Sequence, residues 1–186
     1  MRWLPWILAC VWLGWRWGVA EYTGYDIERG RMAGVLANLL ILLIVLFTAL
    51  VARYRKPMEA WPSFMDDVRT AASAGMRYVV AASILIAVHY YGISPELTLR
   101  RDRDRAANAA LVSDPAALER IRSENAALRT LSPEDLLEAA NDRTDLMTSP
   151  GFVVSSSVIG LILTALAYSF LAAFVFRQFI RRSPPQ

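Results

Sequence analysis

The chain carries one histidine, His89, and one cysteine, Cys10, among 186 residues. A structural zinc site takes four Cys, His or carboxylate ligands and a catalytic one takes three, so this pair cannot build the usual constellations. There is no Gly-rich phosphate loop, no Gly-x-Ser-x-Gly elbow and no His-Glu-x-x-His pair. Asp66 and Asp67 form an adjacent carboxylate pair. They read as the acidic first turn of a helix, favoured by the helix dipole, with Ser63 or a neighbour as its cap. A lone cysteine also excludes an intramolecular disulfide. These residues imply no catalytic group, no metal and no cofactor, and a non-enzymatic protein is expected.

One constellation remains, and it depends on how the chain crosses a bilayer. If four apolar stretches alternate up and down, Arg16 near the end of the first lies level with Asn38 early in the second. His89 late in the third and Ser155, Ser156 and Ser157 early in the fourth then lie in the same leaflet. Polar groups inside lipid usually face the bundle and can mark a pathway or binding site. The structural alternative is that Arg16 snorkels, Asn38 and His89 hydrogen-bond across helices, and the serines bond their own helix or permit close packing.

The elements that must position this layer are the apolar stretches themselves. Met32 to Ala52 runs 21 residues without a charge, which at about 1.5 Å per residue matches a hydrocarbon core of ~30 Å. Pro150 to Phe176 runs 27 uncharged residues, enough to cross with tilt. Tyr78 to Ile93 is uncharged apart from His89, and its helix is expected to start earlier with Arg77 in the first turns, snorkelling to the headgroups. Trp3 to Ala20 holds Arg16 and the tryptophans Trp3, Trp6, Trp12, Trp15 and Trp17, residues that favour membrane interfaces. Leu8-Ala9-Cys10 resembles the end of a lipoprotein cleavage box, but the apolar part before it is short and the chain stays apolar beyond, so no cleavage is expected. Small residues recur every four positions at Ser156, Gly160 and Thr164, at Ala71 and Gly75, and at Ser83 and Ala87. Such faces let membrane helices pack closely, within one bundle, between copies or against another protein.

Charge is segregated. Of 37 charged residues, 19 fall between Ser94 and Ser149, eight arginines and eleven acids, leaving the rest of the chain with twelve basic residues against six acids. Arg53, Arg55 and Lys56 follow the second stretch, and Arg177, Arg181 and Arg182 follow the fourth. Arg100, Arg101, Arg103 and Arg105 follow the third on the opposite face, but a long loop weighs little in the positive-inside rule, which places both termini in the cytoplasm. The alternation of Arg and Asp from Arg101 to Arg105 reads as a solvated, salt-bridged helix face, not a nucleic-acid patch, because mixed signs cancel the field.

Residues 94–149 carry their own punctuation. Ser94-Pro95, Asp114-Pro115, Ser132-Pro133 and Ser149-Pro150 each place a capping oxygen before a proline, the signature of a helix start. Three short helices are expected there, the middle one with a narrow apolar stripe of Leu118, Ile121, Asn125 and Leu128 facing Leu136, Leu137, Ala140 and Met147. So small a core predicts that the insertion leans on the bundle, a second copy or a partner.

The order of features from Met32 to Arg177 resembles a family of four-span bacterial inner-membrane proteins, domain of unknown function 4199. The resemblance lies in a span ending in Arg53, Tyr54 and Arg55, a Ser63-Phe64 pair opening a helix with Gly75, then Pro95 and a charged helical insertion. The tryptophan-rich first span and the Arg-rich, Lys-poor insertion depart from the lysine-rich pattern of the family. It implies a bacterial inner-membrane location and no assigned catalytic residue. The expected protein is thus all-α, with three spans in residues 1–93, an extracytoplasmic helical insertion in 94–149, and a fourth span with a basic tail in 150–186. Its expected role is a scaffold or accessory subunit in the lipid bilayer with a protein partner or a second copy. The alternative is a transporter or channel component using the polar layer.

Overall fold

The structure, a computed structural model, describes residues 3–22, 27–55, 62–93, 95–124 and 128–180, and these contain helices and no strand. Seven α-helices follow in order: α1 (Leu4–Tyr22), α2 (Ile27–Tyr54), α3 (Phe64–Val88), α4 (Glu96–Ser113), α5 (Pro115–Glu124), α6 (Pro133–Thr148) and α7 (Pro150–Ile180). A π-helical turn, His89–Ile93, continues α3. Among the described residues, three stretches are long and apolar enough to cross a membrane: Met32–Tyr54, Phe64–Gly92 and Pro150–Phe179. The first helix is present over 19 residues but is not one of them. Arg16, Glu21 and the polar edges of its tryptophans dilute its hydropathy, so the four comparable spans expected above reduce to three plus one less apolar helix.

The chain divides into two compact units, one of Met1–His89 with Ser155–Gln186 and one of Tyr90–Val154. In the first, α1, α2, α3 and α7 alternate in direction. Leu4 and Pro5 share a groove with Ala52 and Arg53, Trp12 bonds Gly34, Asn38 meets Tyr78, and Asp67 meets Arg177. Leu42, Leu46 and Leu50 of α2, Ala71, Tyr78 and Ala82 of α3, and Ala165, Ala172 and Ala173 of α7 form the core. A Cβ on Gly75 would stand 3.0 Å from Leu46 Cδ2 and 3.4 Å from Ala165 Cβ, so this glycine sets the approach of α2, α3 and α7. Outside, Leu36, Leu40, Ile84, Ile159, Leu163 and Phe174 are exposed. Water would penalise so continuous an apolar surface, whereas lipid solvates it.

Two expectations about these helices change. The third helix begins at Phe64, so Arg77 lies in its fourth turn instead of its first turns. The capping box of Ser63 and Asp66 explains the earlier start: Ser63 N–H donates to Asp66 Oδ2 at 3.0 Å and Asp66 N–H to Ser63 Oγ at 3.2 Å. Of the small-residue faces, Ala71 and Gly75 are buried, Ser83 and Ala87 half-buried, and Ser156 and Gly160 exposed. Thr164 is half-buried and donates to its own helix at Gly160 O.

In the second unit α4 packs along α6. Arg105 Nε donates to Asp145 Oδ1 at 3.1 Å with Nη2 on the other oxygen, and Asn108 Nδ2 reaches Thr144 Oγ1 at 3.1 Å. The hydrogen bond to Asp145, and then its charge, raise the Arg105 pKa. The loop before α6 is tied by Arg122 Nη2 donating to Leu131 O at 2.8 Å. Asp114 accepts from Ala116 N–H at 3.0 Å, Ser132 and Asp135 make a capping box, and Ser149 Oγ accepts from Phe152 N–H at 3.2 Å. Ser94 and Asn125 lie outside the described residues, as do Lys56, Arg181 and Arg182, and α4 starts from Pro95 without a side-chain cap. Leu118, Ile121, Leu128, Leu137 and Ala140 are only half-buried and Met147 is exposed, leaving Leu97, Ala117 and Leu136 as the buried apolar side chains of this unit.

Candidate functional site

The structure buries three of the six residues in the expected polar layer and leaves the serines out. Arg16 is 1% exposed, Asn38 7% and His89 1%. Ser155 and Ser156 are exposed and Ser157 half-buried. Arg16 is enclosed by protein, with its guanidinium reaching toward Gly30 near the start of α2. Its side chain lies over α2 where Gly30 and Gly34, one turn apart, leave space: a Cβ at Gly30 would stand 2.7 Å from Nη1, and one at Gly34 3.1 Å from Cδ and Nε. Asn38 Oδ1 accepts a short hydrogen bond from the Tyr78 hydroxyl of α3, itself fully buried. His89 meets the edge of Trp12, with ring centroids 6.5 Å apart.

Trp12 joins these groups, and no sequence signal separated it from the other tryptophans. Trp3, Trp6, Trp15 and Trp17 are exposed, as residues of a membrane interface would be, but Trp12 is 4% exposed. Its indole N–H donates to Gly34 O at 3.0 Å, which places Trp12 between the α2 backbone and His89. Buried tryptophan N–H groups generally find such an acceptor. The layer is therefore an inter-helix packing seam in which an arginine, an amide, a phenol, an indole and an imidazole are enclosed.

A second polar cluster ties α2, α3 and α7 at the other end of the bundle. Asp67, in the first turn of α3, is fully buried. Its Oδ2 accepts from Arg177 Nε at 2.7 Å and from the Tyr54 hydroxyl at 2.9 Å, while Arg53 Nε stands 3.8 Å from Oδ1. Arg177 also donates to Pro62 O and lies over the Phe64 ring at 5.8 Å. Arg53 bonds Asp66 O at 3.0 Å and Thr70 Oγ1. The acidic first turn accounts for Asp66, which caps its own helix. It misses Asp67, whose partner is 110 residues away. The available signal was the basic residue ending each of α2 and α7 opposite an acid at the start of α3.

The described residues hold no group of three His, Cys, Asp or Glu side chains that could bind a metal ion. Cys10 is exposed on α1. No family model matches this chain, nor does any curated protein or solved structure. The resemblance to the four-span family stays with the residues that carry it.

Proposed function

We propose that this protein is a non-catalytic integral membrane subunit, a scaffold or accessory component that docks another membrane protein or a second copy of itself. The observation that carries this reading is the outward stripe of α7. Nothing stands within 4 Å of a Cβ on Gly160, and Ser156 one turn earlier is exposed too. Small residues on a lipid-facing helix permit backbone approach of a second helix. The thin core of the Tyr90–Val154 unit adds weight, since Leu99, Leu111, Leu146 and Met147 remain exposed there.

The proposal includes four spans, with α1 as the fourth. Its antiparallel packing on α2 and the enclosure of Arg16 against Gly30 and Gly34 support this. A buried arginine keeps its charge away from lipid, which lowers the barrier to crossing that composition alone implies. The proposal also carries the expected setting: the inner membrane of a bacterium, both termini cytoplasmic, the insertion outside, and membership of the resembling family.

The test is crosslinking in native membranes. In a Cys10→Ser background, Gly160→Cys should form a single adduct of discrete mass, a dimer or a defined partner, while Ile44→Cys on the lipid face of α2 should not. Gly160→Leu should abolish the complex in native mass measurements. A monodisperse monomer without adducts would count against docking. Transport by the buried layer is the second reading; liposome flux that is unchanged by His89→Ala and Asn38→Ala would exclude it.

A further inference from the structure

One face of α3 is polar along about three turns of an otherwise apolar helix. Asp66, Arg69, Ser73 and Arg77 recur at spacings of three and four residues, with Thr70 next to Arg69, and all five line one groove. Across from them, α2 contributes Val45, Thr48, Ala49, Ala52 and Arg53, and α1 contributes Leu4 and Pro5. The groove encloses about 670 Å³. The α3 wall carries two guanidiniums, two hydroxyls and the Asp66 carboxylate, and the facing wall is aliphatic apart from Thr48 and Arg53.

Of the three arginines that line the groove, Arg53 and Arg69 each have a carboxylate within 4.0 Å. Arg53 is engaged by Asp67, Thr70 and the Asp66 carbonyl. Arg69 stands 4.0 Å from Asp66 with its side chain 84% exposed. Arg77 is exposed and its Nη2 donates to Ser73 Oγ at 3.3 Å. Arg77 is also about 20 Å along the helix from Phe64, at about 1.5 Å per residue. A guanidinium at that depth is costly in hydrocarbon unless an anion or water meets it. Guanidinium pairs with phosphate bidentately, which suits the shape of the wall.

We propose that this groove holds an anionic phospholipid, its phosphate between Arg69 and Arg77 and an acyl chain along Val45, Ala49 and Leu4. Both halves of the molecule find matching side chains in the groove. A basic pocket between membrane helices is a recurrent site for anionic headgroups. The assignment stands apart from the docking reading, because it uses α1, α2 and α3 and not the α7 stripe.

Titration of the full-length protein in mild detergent with phosphatidylglycerol or phosphatidylcholine, with bound lipids counted by native mass spectrometry, tests it. One phosphatidylglycerol should bind in preference to phosphatidylcholine and resist equimolar inorganic phosphate. Arg69→Gln and Arg77→Gln should each weaken it about fivefold, as expected for one basic residue at a lipid surface, while Arg77→Lys retains most of the binding. Ala49→Leu, which fills the apolar wall without touching a charge, should weaken both lipids. Arg105→Gln should change nothing. Equal binding of the two lipids, indifference to the Arg69→Gln/Arg77→Gln pair, or displacement by inorganic phosphate would each overturn the assignment. The two guanidiniums are exposed, so these variants should melt with the wild type when lipid is absent; if Arg77→Gln does not fold, Arg69→Gln and Ala49→Leu decide.

Discussion

Arg177 near the end of α7 and Asp67 in the first turn of α3 form an ion pair at 2.7 Å with the carboxylate fully enclosed. The two partners differ in exposure, 21% for the arginine side chain and 0% for the aspartate. Removing Arg177 leaves a buried carboxylate held by Tyr54 and by the longer contact with Arg53 at 3.8 Å. Removing Asp67 leaves an arginine that can turn outward. Breaking a buried pair from one side costs about 3–5 kcal/mol, so Arg177→Met should reach that range in reversible unfolding in detergent and Asp67→Asn should cost clearly less. The double variant Asp67→Leu/Arg177→Met should recover most of the loss; if it is as unstable as Arg177→Met alone, the pair is not the source.

Tyr78 and Asn38 meet inside the bundle, one hydroxyl on one amide oxygen. Hydrogen bonds between membrane helices average about 0.6 kcal/mol and reach about 1.7. A double-mutant cycle of Tyr78→Phe and Asn38→Ala should return a coupling in the upper half of that range, since both side chains are buried. A coupling near zero would mean that the two groups find other partners when separated.

Gly75 is where three helices meet, with Leu46 and Ala165 already at or near contact with a missing Cβ. Gly75→Leu should overpack this point and cost about 1–3 kcal/mol, read as a lower melting temperature. Gly18→Leu on α1, where nothing stands within 4 Å, should leave the melting temperature unchanged. Equal effects at the two positions would argue against a close approach at Gly75.

Arg16 tests the seam from the other side. Gly34→Leu must displace a side chain that is 1% exposed and 3.1 Å from the new Cβ. The expected consequences are separation of α1 from α2 and a red-shifted Trp12 emission as its indole leaves Gly34 O. Gly14→Leu, with open space around it, supplies the control. An unshifted spectrum for Gly34→Leu would contradict the enclosure of Arg16.

The unit of α4, α5 and α6 depends on its caps more than on its core. Ser132→Ala removes the bonds from Asp135 N–H and to Asp135 Oδ2, a loss of about 1 kcal/mol for such a cap. Hydrogen exchange should quicken through the first turn of α6 and leave α2 untouched. No change in that turn would show that water or neighbouring backbone replaces the cap.

The sequence by itself determined what is local. Ser63, Asp114, Ser132 and Ser149 start helices where they stand because each side-chain oxygen reaches an amide no more than three residues away. The apolar runs of α2 and α7 are set by composition, as is the segregation of charge into residues 94–149. Faces were another matter. Helices apolar all round carry no moment to tell the side that meets a helix from the side that meets lipid, so Ser155, Ser156 and Ser157 looked equivalent to Asn38 until packing turned two of them outward. Only the tertiary structure enclosed Arg16 over Gly30 and Gly34, drew Trp12 out of a set of alike tryptophans, and joined Asp67 to a residue 110 positions away. Those outcomes depend on which ridges interlock and on how closely glycines let backbones approach, and both are fixed between helices and not along them.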